Sequence, residues 1–125
     1  MSLNWTIDSR EQLFTVIADG DVSRDEIEAC LDAMDGSGAM TYRKLFDGTL
    51  GDTSMTPFDL LAVGARMRHY HTLGPVGPLA VVVPAQKYEL VANILGMLAA
   101  ADRPMRIFTN VKPARRWLES LRTCA

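Results

Sequence analysis

Four aspartates, Asp19, Asp21, Asp47 and Asp52, follow two short apolar-rich runs. If those runs are parallel neighbours, the carboxylates gather at the strand ends where open α/β sheets place their ligands, with Asp19, Asp47 and Asp52 as the rim. Such a rim suits a hard cation like magnesium. Aspartates also end strands by bonding the local backbone, and on that ground no metal and no cofactor is expected. Thr53, Ser54 and Thr56 form a hydroxyl-bearing stretch ahead of Pro57. A hydroxyl there either caps a helix or carries a phosphate, which the positive end of the following helix accommodates. His69 and His71 are two apart in a helical pattern, so they face away from each other and cannot chelate one ion. His69 belongs to the polar side, and His71 continues the stripe of Gly64 and Met67 as a partly buried structural residue. Cys30 lies mid-helix beside apolar positions and reads as core. No glycine-rich dinucleotide fingerprint, P-loop, G-x-S-x-G elbow or Cys-x-x-Cys pair occurs. A binding or regulatory module is therefore expected before an enzyme, whose one candidate site is the acidic rim.

The elements that must position these groups follow from periodicity and punctuation. Residues 5–7 and 12–18 read as two strands in a hairpin, with Asp19-Gly20-Asp21 breaking the second. Ser23 and Glu26 form a capping box for a helix to about Met34, with Ile27, Cys30, Leu31 and Met34 on its apolar side. Residues 42–46 read as a strand ending at Asp47, and 48–55 as a polar, glycine-containing loop. Strand, helix, strand implies a parallel pair. Thr56 caps a second helix that has Pro57 at its first position and runs to about Thr72, with Leu60, Leu61, Gly64 and Met67 as its apolar stripe and Asp59, Arg66 and His69 on the polar side. The unbroken apolar run 79–83 is expected as the middle strand, buried on both faces. A helix over 86–101, a strand over 105–109 and a helix over 111–122 complete the order. The fold class is α/β: a five-stranded, mostly parallel mixed sheet with four helices.

The chain has 125 residues, 48% of them hydrophobic, enough for one core and a single domain over 1–125. Thirteen basic against fifteen acidic residues leave a formal charge of −2, which excludes broad attraction to nucleic acid or to an anionic membrane. No apolar stretch is long enough to span a bilayer and no signal-peptide pattern opens the chain, so a cytoplasmic location is expected. The two cysteines, Cys30 and Cys124, are expected as free thiols.

The element order, the strand at 79–83 before a long helix, and the ending Arg106-Ile107-Phe108-Thr109-Asn110-Val111-Lys112-Pro113-Ala114-Arg115-Arg116-Trp117-Leu118 resemble the SpoIIAA-like branch of STAS-related proteins. In that branch a late strand runs into a helix with an alanine and a Trp-Leu pair, as Ala114, Trp117 and Leu118 do here. The resemblance implies a SpoIIAA-like fold acting through protein contacts. It places Thr53, Ser54 and Thr56 where STAS anti-sigma-factor antagonists carry the serine that a partner kinase phosphorylates. SpoIIAA-like folds are also similar to the CRAL-TRIO lipid-binding fold, which implies a small apolar ligand as an alternative.

The third helix supplies its own signal. Beyond Asn93 it reads Ile94-Leu95-Gly96-Met97-Leu98-Ala99-Ala100-Ala101, apolar on every side, whereas a helix on one face of a sheet keeps a polar side. Leu90, Ile94 and Met97 form a stripe available to a second copy, a protein partner or a lipid, with homodimerisation the leading alternative to simple burial. A pocket lined by the second and third helices is the expected place for an apolar ligand.

Overall fold

The computed structural model describes residues 2–98 and 104–121, with the side chains of 94–98 outside the description. Its elements are β1 (Leu3–Asp8), β2 (Leu13–Asp21), α1 (Arg24–Gly36), β3 (Arg43–Asp52), α2 (Pro57–Leu73), β4 (Leu79–Val82), a 3-10 turn (Ala85–Lys87), α3 (Tyr88–Leu98), β5 (Met105–Phe108) and α4 (Val111–Ser120). The five strands form one sheet in the order β1-β2-β3-β4-β5, with β1 antiparallel to β2 and the other pairs parallel. This is the expected α/β architecture. Among the described residues no helix is long and apolar enough to cross a membrane.

The hairpin closes because the Asp8 carboxylate accepts the N–H groups of Arg10 and Glu11, and Gln12 takes a positive φ of 52°. Strand alternation then sends Leu3, Phe14, Val16 and Ala18 to one face, where they pack with Cys30, Leu31 and Met34 of α1 and Tyr70 of α2. Leu79, Val81 and Val83 pack with Val91 of α3. Leu45, Ala80 and Val82 point to the opposite face, which α4 covers with Ala114 and Leu118. Three helices therefore lie on one side and one on the other. Phe14, Leu45 and Val82 are at most 1% exposed, and each such burial contributes about 2 kcal/mol.

Several local expectations are corrected. Asp19-Gly20-Asp21 does not break β2, and 48–52 is not loop. Past an irregularity between Ile17 and Asp19, the two strands stay paired as Asp19 with Leu50, Gly20 with Gly51 and Asp21 with Asp52. Gly20, at φ 94°, supplies a backbone conformation that other residues resist. The middle of the sheet is β3; β4 lies next to the edge, although all four of its residues are buried. On α2 the buried positions are Val63, Gly64 and Tyr70, while Leu61 is 54% exposed, so the stripe is rotated from the expected one. Arg66 does not simply face solvent: it lies in the seam between α1 and α2, donating to the Tyr70 hydroxyl at 2.8 Å, the Glu28 carbonyl at 3.3 Å and the Asp32 carboxylate.

Candidate functional site

The corner between β3 and α2 is set by capping chemistry. The Thr56 hydroxyl accepts the Asp59 N–H at 3.1 Å and the Asp59 carboxylate accepts the Thr56 N–H at 3.2 Å, a reciprocal box with Pro57 at the first helical position. The bond from the Thr56 N–H is the main cause that holds the Asp59 carboxyl below its usual range, and Arg24 adds to it from 3.6 Å. Thr53 is also committed to structure: its hydroxyl donates to the Val22 carbonyl at 2.7 Å and accepts the Met55 N–H at 3.2 Å. Ser54 differs. It is exposed, and its hydroxyl donates to Oδ2 of Asp21 at 3.1 Å. Of the three hydroxyls singled out in the sequence, the geometry leaves Ser54 as the one whose change disturbs no capping bond.

The acidic rim does not assemble as expected. Asp21 and Asp52 are paired across the ends of β2 and β3, but Asp47 is mid-strand, in register with Ile17 and Val82. Four residues of β3, including the irregularity opposite Ile17 and Asp19, separate Asp47 from Asp52. Asp47 accepts the N–H and hydroxyl of Thr49 at 3.1 and 2.7 Å, a local turn-like use of the carboxylate, and Asp19 is opposite Leu50. Among the described residues no group of three or more His, Cys, Asp or Glu side chains is placed to hold a metal ion. The Thr53 N–H, followed by Lys87, lowers the Asp52 pKa below its ordinary value of 3.8, with Lys87 Nζ 3.5 Å from its carboxylate. Lys87 also donates to the Gly51 carbonyl at 3.1 Å, which ties the start of α3 to the end of β3.

Beneath this corner, between the sheet and the three helices on its face, is a cavity of about 300 Å³. Val16, Phe46 and Val81 form its floor, with Cys30 of α1, Val63 and Met67 of α2, and Leu90 and Val91 of α3 as walls. The expected pocket between the second and third helices is thus present, with α1 as a further wall. Lys44, Tyr70 and His71 line its far end, and Asp52, Thr53 and Lys87 line it at the corner. Lys44 is 3% exposed and donates to the carbonyls of Met40 and Tyr42 at 2.6 and 2.7 Å. Cys30 is buried and burial pushes its thiol up to about 11, so it packs as core, as expected, and reacts only slowly at neutral pH.

Sequence reasoning missed a surface at the same corner. Phe58 and Leu61, three apart on the first turns of α2, are 72% and 54% exposed. Leu61 was expected in the apolar stripe of α2 and Phe58 was assigned to neither side; the signal available was that Phe58 lies outside the expected stripe of Leu60, Leu61, Gly64 and Met67. In the expected interface on α3, Leu90 is 61% exposed and lines the cavity, whereas the side chains of Ile94 and Met97 lie outside the described residues.

No protein-family model matches this sequence, and no curated protein matches it. Solved structures do match its fold. An uncharacterized protein of the DUF3478 family with a SpoIIAA-like fold, from Shewanella loihica PV-4, superposes with a TM-score of 0.62 at 14% identity, covering 93% of this chain and 91% of that one. The anti-sigma factor antagonist SpoIIAA in its unphosphorylated form gives 0.59 at 16% identity, over 95% and 99% of the two chains. An anti-sigma factor antagonist from Mycobacterium paratuberculosis gives 0.57 at 12% identity, over 94% and 95%. The chain therefore has the SpoIIAA-like fold that its carboxyl-terminal pattern implied.

Proposed function

Taking the SpoIIAA-like fold as given, we propose that this chain is a non-catalytic regulatory module that works through protein contacts at the β3–α2 corner. One observation carries the reading: an exposed, modifiable hydroxyl, Ser54, stands four residues from an exposed apolar pair, Phe58 and Leu61. Adjacent large apolar side chains on one helix face, left in water, form a patch that a partner can cover. Two structures that share the fold are anti-sigma factor antagonists, which supports a protein as that partner.

The switch follows from charge. Ser54 bonds Asp21, and Asp52 is in register beside Asp21. A phosphate on Ser54 replaces that bond with repulsion between like charges, drives the loop away from β2, and turns it toward Arg24 and Lys87, which pair with Asp59 and Asp52. The partner then meets a changed surface in front of Phe58 and Leu61.

The test begins with the intact mass and peptide map of the chain isolated from its own host, where a phosphate is expected on Ser54. Partner capture is then compared among wild type, Ser54→Asp, Ser54→Ala and the double change Phe58→Asp with Leu61→Asp. The partner is lost from the double variant, and the two Ser54 variants move its retention in opposite senses. Capture indifferent to all three variants would overturn the reading.

A further inference from the structure

We propose that the cavity under the corner is a binding site for one linear aliphatic molecule with an anionic head, its chain among the helices and its head at Lys87. Taking a methylene as about the size of a water, ~30 Å³, the space holds a chain of roughly ten carbons. Pockets of this volume, mostly apolar with a few polar groups at one end, are the usual form of a small-molecule site. Four of the seven methionines, Met34, Met40, Met55 and Met67, line it. Unbranched, polarisable walls adapt to a flexible chain better than to a rigid ring. At the corner, Lys87 is the cation on the lining, and its pair with Asp52 is partly open to water, with side chains 33% and 73% exposed. Such a pair is weak, so an incoming carboxylate can share the ammonium while staying hydrated. Cys30 is buried and lines the same wall, so a chain in this space covers its thiol and slows its alkylation.

The experiment uses the full chain with dodecanoate and dodecanol as probes. At a hundredfold excess over Kd, dodecanoate is expected to bind one to one and to raise the melting temperature by roughly 10 °C. Under the same conditions alkylation of Cys30 by iodoacetamide is expected to slow by about 100-fold, scored by peptide mapping apart from Cys124. Met67→Trp, which fills the space, abolishes binding; if that variant fails to fold, protection of Cys30 in the wild type still decides. Lys87→Met weakens dodecanoate about tenfold and leaves dodecanol unchanged. A response equal for both probes overturns the assignment of the head. Dodecanoate that moves neither melting nor Cys30, or that binds many to one regardless of Met67→Trp, overturns the site. Sedimentation with phosphatidylglycerol vesicles without a response to dodecanoate overturns a free ligand in favour of a membrane lipid. None of these readouts depends on Ser54, so the site can fail while the protein-contact reading stands.

Discussion

Arg43 Nη1 donates to the carbonyl of Leu118 at 2.9 Å, joining residues 75 apart in the chain, while Nη2 donates to the Glu11 carbonyl at 2.7 Å. Leu118 is in the last turn of α4, where its carbonyl also accepts the Leu121 N–H at 3.2 Å and where a cation is favoured. Arg43 is 8% exposed, so its removal takes a charged, buried donor from both carbonyls. Arg43→Met is expected to lower stability by about 3 kcal/mol, measured as a shift in the urea midpoint at unchanged slope. Arg43→Lys, which cannot span both carbonyls, recovers only part of this.

Gly77 sits where a side chain has no room. A Cβ there would come within 2.1 Å of the Tyr42 carbonyl oxygen and 2.5 Å of that of Thr41, while its N–H donates to Met40 at 2.9 Å. Backbone has to move to admit even a methyl group. Gly77→Ala is therefore expected to cost about 3 kcal/mol, visible in thermal melting. Gly74→Ala, with nothing within 4 Å of its Cβ position, is the matched control and changes little.

The hydroxyls at the corner separate by their bonds. Thr53→Val removes the bond to Val22 and the acceptor for Met55, and is expected to cost about 1.5 kcal/mol. Ser54→Ala, on an exposed side chain, stays within about 0.5 kcal/mol of wild type. Equal losses in denaturant titration would show that Ser54 is also a structural residue.

Stability falls on the acid side through Glu26. Desolvation alone would raise its pKa, but N–H bonds led by that of Leu3, at 3.0 Å, outweigh it and hold the carboxyl below its ordinary 4.5. The folded state thus prefers the ionised form, and this contribution is complete above the unfolded value and disappears as pH drops through the folded one. Urea midpoints followed from pH 7 down to about 3 are expected to decline below the ordinary value for the wild type, with a shallower decline for Glu26→Gln.

What was legible in the sequence was local. Thr56, Pro57 and Asp59 announce a helix start because capping involves residues three apart, and the valine run announces a buried strand because both faces are covered. The ends of β2 and β3 were hidden because Asp-Gly segments read as turns; the pairing of Asp21 with Asp52 overrides that preference. The same misplacement produced the acidic rim. β3, with Asp47, Gly48 and Gly51, does not look like the middle of a sheet, yet it is. The stripe of α2 was read out of phase, so Leu61 went inward on paper and stands in water in the fold. The spare apolar character of α3 did point to a pocket, but α1 as its further wall depends on how elements stack, which no local pattern encodes.

Strand order in the sheet is also order along the chain. No strand has to be threaded between two that are already paired, so the sheet can lengthen at one edge as a ribosome delivers each βα unit. Neighbouring units also keep loop-closure distances short for a mostly parallel sheet. The second face is the exception. Leu45, Ala80 and Val82 await α4, which follows all five strands in the chain, and the Arg43 bond to Leu118 can form only then. Until synthesis reaches that point, a nascent chain carries a bare apolar stripe on this face of the sheet.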